Sequence, residues 1–192
     1  MTKPYLLLDI DGVCLDWDSG LIKFIKENIH ETLQPSYVDE HSYDLANRFG
    51  ITNNEANSLV WEFHYDEIFE NLVPLDGVTD AITKLKEKYN CVAITACGSD
   101  PIIVNAREKN LKKCFGDAFV EIHCVDAFSE KRKFLEKYPP GHWVEDHAQN
   151  AHMGLLYGHQ CWLINAPYNK KSFLDSNIKR INSINDLCGI IL

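Results

Sequence analysis

A chain of 192 residues, 45% hydrophobic and 24% charged, has the makeup of a soluble globular protein, with enough length for one core carrying a modest insertion. Its formal net charge of −9 argues against an electrostatic footprint for long nucleic acid, and it requires any anionic substrate to be drawn by a local cation or by helix N-termini. No apolar run approaches membrane-spanning length, and Met1-Thr-Lys-Pro4 leads into a strand pattern rather than a signal peptide, so no membrane partner and a cytoplasmic location are expected.

The first element, Tyr5 to Val13, is an apolar run that reads as a buried parallel strand and ends in Asp9, Asp11 and Gly12. Two like charges at the end of a buried strand are costly unless a cation or a shared proton compensates them. The pair therefore points to Mg²⁺ and chemistry on an anion, with a loop carrying two solvated acids as the alternative. Residues 15–74 break the rhythm. Gly20 to Leu33 carries Leu21, Phe24, Ile25, Ile29 and Leu33 at helical spacing, and Thr52-Asn-Asn-Glu55 opens a second helix bearing Leu59, Val60, Trp61 and Phe63. With no strand candidate between them, this stretch reads as a helical insertion.

From residue 75 helices and strands alternate. Asp76–Lys88 is an amphipathic helix, Cys91–Thr95 a strand, and Asp100-Pro101 starts a helix running to about Asn110. Val120–Val125 is strand-like, Ser129–Tyr138 a helix stopped by Pro139-Pro140-Gly141, Trp143–Glu145 a strand and His147–Tyr157 a helix. Cys161–Ile164 is a further strand, and a helix within Ser172 to Leu187 closes the chain. This alternation predicts an α/β fold with a doubly wound parallel sheet. The expected division is a core domain of 1–14 and 75–192 with a helical cap subdomain of 15–74.

Seven cysteines form no CxxC, and Cys91, Cys124 and Cys161 sit inside apolar runs, so reduced buried thiols are expected rather than a disulfide or zinc framework. The eight histidines show no HExxH spacing, and His142 and His147 read as flanking a strand rather than binding metal.

Ligands of doubly wound sheets bind beyond the carboxyl ends of the strands. Those ends carry Asp9 and Asp11, then Thr95, then Glu145-Asp146, with a lysine from the helix at 129–138. In this order and on these elements the chain resembles the haloacid dehalogenase-like superfamily of phosphotransferases. Asp9-Ile-Asp-Gly-Val13 matches that family's first motif, DxDGx(V/T), Thr95 its second, and the lysine with Glu145-Asp146 its third and fourth. The match covers essentially the whole chain. Within the superfamily the sequence is most similar to the 5′(3′)-deoxyribonucleotidases, through the small helical insertion, Glu70-Asn-Leu-Val-Pro-Leu-Asp-Gly77 and Asn165-Ala-Pro-Tyr-Asn169.

The resemblance implies a Rossmann-like core and a Mg²⁺-dependent phosphomonoesterase acting on (deoxy)nucleoside monophosphates, with a sugar-phosphate phosphatase or a non-catalytic binding protein as alternatives. Asp9 would be the nucleophile that forms an aspartyl-phosphate, and Asp11 the general acid and base. Mg²⁺ would be bound by Asp9, the backbone carbonyl of Asp11 and Asp146. Thr95 and the backbone of Ala96 would hold phosphate oxygens. Lys131 is favoured as the site lysine over Lys133, because it lies three and four residues before Phe134 and Leu135 and fits the family's pattern of a lysine followed by an apolar pair. Glu145 and Asn150 depart from the family's Gly-Asp-x-x-x-Asp motif, which leaves their roles open. The second acid, Asp11, disfavours a dehalogenase. Trp17, Phe24, Tyr43, Trp61 and Tyr65 are candidate substrate contacts, with a role in the core of the insertion as the competing reading, and Cys97 reads as a neighbour of the site rather than a second nucleophile. The partner expected is a small phosphorylated substrate, and the oligomeric state stays open, a homodimer included.

Overall fold

The computed structural model describes residues 3–28, 41–126 and 131–192. Six strands, β1 (Tyr5–Leu8), β2 (Asn90–Thr95), β3 (Phe119–Cys124), β4 (His142–Glu145), β5 (Gln160–Ile164) and β6 (Lys179–Ile181), form one sheet in the order β3-β2-β1-β4-β5-β6. Every pairing is parallel. The strand order therefore reverses between β1 and β4, the point where doubly wound sheets open a crevice. Both neighbours of β1 are long-range partners, with Leu8 opposite Ala93 on one side and Val144 on the other.

Period-2 alternation sorts the core into two layers. Leu6 and Leu8, with Cys91, Ala93, Val144 and Trp162, face α5 (Val78–Lys88), α6 (Pro101–Phe115) and α9 (Ile184–Ile191). Leu7, with Val92, Ile94, Trp143 and Cys161, faces α7 (Arg132–Lys137) and α8 (Ala148–Leu156). Helices on both faces bury all three leucines of β1 completely, which is why the strand reads as a continuous apolar run.

Between β1 and α5 the described chain forms four helices, α1 (Trp17–Asn28), α2 (Leu45–Phe49), α3 (Asn53–His64) and α4 (Glu67–Glu70). Thr52 caps α3 with a reciprocal capping box to Glu55, the pattern its sequence announces. Phe63 packs edge-on to Trp17 and Phe69 and tilted against Phe24, so these helices share the core of the sheet's α5/α6 face. The end of the helix expected to reach Leu33, including Ile29, and the start of that expected from Ser129, lie outside the described residues.

Two expectations are corrected. The α6 helix runs five residues beyond Asn110, to Phe115. The segment 172–187 is not a single helix. Asp175 turns the chain by accepting from the backbone of Asn177, Lys179–Ile181 adds an edge strand to β5, and Ser183 caps α9 by accepting from the Asp186 amide. A three-residue edge strand with exposed Lys179 and Arg180 is too short to show a period. All seven cysteines are free.

Candidate active site

The strand ends converge as their spacing requires. Beyond β1 the chain turns at Gly12, whose φ is +75° and whose position would drive a Cβ into the Asp146 carboxylate, so glycine alone lets β1's loop pass against the end of β4. The Asp9 amide donates to the Val144 carbonyl at 3.0 Å, which fixes the two strand ends against each other. Asp9, Glu145 and Asp146 are all buried, and a carboxylate oxygen from each lies within 4.8 Å of the others.

Lys131 immediately precedes α7 and is buried; its Nζ donates to Asp9 Oδ1 at 2.6 Å and to Glu145 Oε1 at 2.8 Å. Lys133 is exposed, against Phe134. Glu145 also accepts from the amides of Asp146 and His147 and from the side chain of Asn150. It is thereby fully engaged as an anchor for Lys131 and for the turn into α8. Asp146 points the other way, accepting from the Tyr168 hydroxyl, while Asn169 holds its carbonyl at 2.7 Å.

Asp11 stands apart from this cluster. Arg107 Nη2 donates to its Oδ1 and Oδ2 at 2.7 and 2.8 Å, and Thr95 Oγ1 lies 3.3 Å from Oδ2. Thr95 is fully buried, with its hydroxyl on the acid, and Ala96 follows it onto the wall of the cavity.

Burial pushes the Asp9 carboxyl up to about 7, against the opposing pull of Lys131. Asp146 is driven well above the usual carboxylate range by burial and by the neighbouring Glu145 and Asp9, whereas Glu145 is held low by Lys131 and its hydrogen bonds despite burial. Among the described residues the site is short of positive charge. Asp9, Asp11, Glu145 and Asp146 stand against Lys131 and Arg107, while Arg48 at the rim is matched by Asp18. An oxygen-only donor set with excess negative charge fits a hard divalent cation such as Mg²⁺ and suits zinc poorly.

Asp9, Asp11, Lys131, Glu145 and Asp146 line a cavity of about 280 Å³ whose other walls include Trp17, Tyr43, Trp61, His64, His147 and Tyr168. Of the aromatic candidates, Phe24 is a core residue against Phe63, and Tyr65 is half exposed, stacked on Trp61.

Solved structures match this architecture over nearly their whole length. A haloacid dehalogenase-like hydrolase from Streptococcus pneumoniae superposes with a TM-score of 0.70 at 12% identity, covering 99% of both chains. The fold is that of the haloacid dehalogenase-like hydrolases. A putative hydrolase of this fold from Bacillus subtilis, bound to magnesium, gives a TM-score of 0.64 at 14% identity over 100% of this chain and 99% of that one. The L-2-haloacid dehalogenase of Xanthobacter autotrophicus gives 0.64 at 11% identity over 99% and 98%. The fold thus spans more than one reaction. In sequence, the chain is 33% identical over 155 residues to an uncharacterized 32.4 kDa protein of Enterobacteria phage T4, a match covering 78% of this chain. It spans only 56% of that relative. No family model matches the chain.

Three features of the site, namely Arg107, Tyr168 and the task of Glu145, are not evident from sequence alone. Arg107 carried a faint signal, since it shares the apolar face of α6 with Ile103 and Leu111. Tyr168 lies within a segment singled out for likeness alone, and the anchoring role of Glu145 depends on a turn that spacing does not reveal.

Proposed function

We propose that the protein is a Mg²⁺-dependent phosphomonoesterase that works through an aspartyl-phosphate on Asp9 and acts on (deoxy)nucleoside monophosphates. The observation that carries this reading is the buried Asp9–Glu145–Asp146 cluster, with Lys131 as its one direct cation among the described residues. Such a set is poorly stabilised by itself and becomes balanced once a divalent cation is present. Asp9, Asp146 and the Asp11 backbone carbonyl would hold Mg²⁺, which when bound would offset the repulsion between a carboxylate and an anionic phosphate.

Lys131 occupies Asp9 Oδ1 and so leaves Oδ2 to attack phosphorus in line, which splits one displacement into two easier ones. Asp11 would protonate the departing oxygen, then take a proton from the water that hydrolyses the acyl phosphate. Thr95 and Ala96, at the end of β2, would receive phosphate oxygens. The insertion would act as a cap over the site and limit water. Its Trp17, Tyr43 and Trp61 line the cavity and offer flat apolar walls for a base, and its volume is near that of small-molecule sites.

Phosphate release from a panel of 5′- and 3′-(deoxy)nucleotides and sugar phosphates, with Mg²⁺ and with chelator, tests the reading. Nucleotide turnover that vanishes with chelator is expected. Equal rates with chelator would remove the metal, and sugar phosphates outrunning every nucleotide would transfer the activity to another small metabolite.

A further inference from the structure

Arg107 reaches the site from behind. Its side chain is completely shut off from solvent and forms no part of the cavity wall. The guanidinium pairs with Asp11 and also lies against the Cys97 thiol. Nη2 spans both oxygens of Asp11 at 2.7 and 2.8 Å, Nη1 lies 3.5 Å from Asn110 Oδ1, and the group sits 4.2 Å over the ring of Phe69 on α4. Asn110 is itself tied to the Leu72 carbonyl at 2.8 Å. Burying an arginine costs several kcal/mol, and an apolar replacement of a buried ion pair is often at least as stable. Stability therefore gives little reason for the residue, whereas a planar guanidinium held by Phe69 and Asn110 fixes where the one nitrogen that meets both Asp11 oxygens can sit.

We propose that Arg107 is a positioning residue that clamps the Asp11 carboxylate from behind, with Phe69 and Asn110 holding the clamp, so that the free flank of Asp11 faces the leaving oxygen. The inference rests on the phosphomonoesterase reading. The clamp joins α6 to the return segment of the insertion through Phe69 and Leu72. The orientation of the acid is thus set by the packing that seats the insertion on the sheet.

The test uses leaving-group dependence. A nucleoside 5′-monophosphate releases an alkoxide that needs a proton from Asp11, whereas p-nitrophenyl phosphate releases a stable phenolate that does not. General acid assistance contributes about 10²–10⁴-fold. First-turnover release of each leaving group is measured with Mg²⁺ for the wild type, Arg107→Met and Arg107→Lys, with the fold of each checked by circular dichroism. In Arg107→Met the ratio of nucleotide to aryl rate should fall by about 30-fold or more, through kcat with KM within about threefold. Arg107→Lys keeps the buried charge but loses the planar group that Phe69 and Asn110 hold in place, and should lower the same ratio by roughly 10-fold. Adding Asp11→Asn to either variant should lower nucleotide turnover far less than it does in the wild type. A ratio unchanged from the wild type in the folded Arg107→Lys protein, or fully additive losses, would overturn the proposal. A wild type inactive on both substrates would instead overturn the phosphomonoesterase reading beneath it.

Discussion

The Lys131 ammonium lies 2.6 Å from Asp9 Oδ1, joining the start of α7 to the end of the central strand across 122 residues of chain. The same nitrogen is 2.8 Å from Glu145 Oε1, so one cation bridges the ends of β1 and β4 at the reversal point of the sheet. It is what allows two carboxylates to remain buried there.

Lys131→Met should be costly in both stability and activity. Removing one partner of a buried ion pair leaves uncompensated charge and costs about 3–5 kcal/mol. Urea unfolding in chelator should show a loss of that order, and the proposed phosphatase activity should fall by at least about 100-fold. A variant as stable as the wild type would show that the lysine is not the charge holding Asp9 and Glu145 in place.

Asp146→Asn should have the opposite effect on the metal-free protein. Burial and two acidic neighbours disfavour the ionised Asp146, so its neutral replacement should raise the melting temperature by a few degrees, about 1 kcal/mol for a chain of this size. The same variant should lose the stabilisation that Mg²⁺ gives the wild type, which at 100 times Kd is about 2.7 kcal/mol. Differential scanning fluorimetry with and without Mg²⁺ reads both effects. A metal-free variant less stable than the wild type would contradict the charge imbalance.

Much of this site is legible in the sequence, because each strand end announces itself with an acid or a hydroxyl after an apolar run. Asp9, Asp11, Thr95, Lys131 and Asp146 are each found within or against the strand-end cluster. Arg107 is not legible, since a cation on an amphipathic helix ordinarily faces water, and only its position beside Ile103 and Leu111 hints otherwise. The task of Glu145 is hidden because its partners include backbone amides of the following turn beside Lys131 and Asn150. Strand β6 is hidden in the sequence because three residues, two of them exposed cations, leave no pattern to detect.

Gly12→Ala should damage the proposed metal site without removing any proposed ligand. A φ of +75° strains an L-residue by about 1–2 kcal/mol, and the added methyl would meet the Asp146 carboxylate. Isothermal titration with Mg²⁺ should show affinity lowered by at least about 10-fold. Unaltered affinity would mean that the close approach of Gly12 and Asp146 is not required for binding.

His64 should contribute an acid-side loss of stability. It is buried beneath the cavity, where Trp17 Nε1 donates to its Nε2 at 3.2 Å, and burial lowers its pKa to about 4. An unfolded histidine takes up its proton near 6.5, so between about 6.5 and 4 the unfolded chain binds more protons and stability falls as pH falls. The slope from this group approaches about 1.4 kcal/mol per pH unit. Comparing urea unfolding of the wild type and His64→Phe across this window should show the smaller slope in the variant. Equal slopes would mean that His64 is protonated in the folded protein.

The role of Asp9 is tested most directly by trapping. Acid quench during turnover of an active substrate with Mg²⁺, followed by borohydride, reduces an acyl phosphate to the alcohol and converts that aspartate to homoserine. Peptide mass spectrometry should find homoserine at position 9 in the wild type and at no other acid, and none without substrate or in Asp9→Asn. Substrate turnover with no modification at position 9, in a protein whose Asp9→Asn variant keeps its rate, would contradict the account.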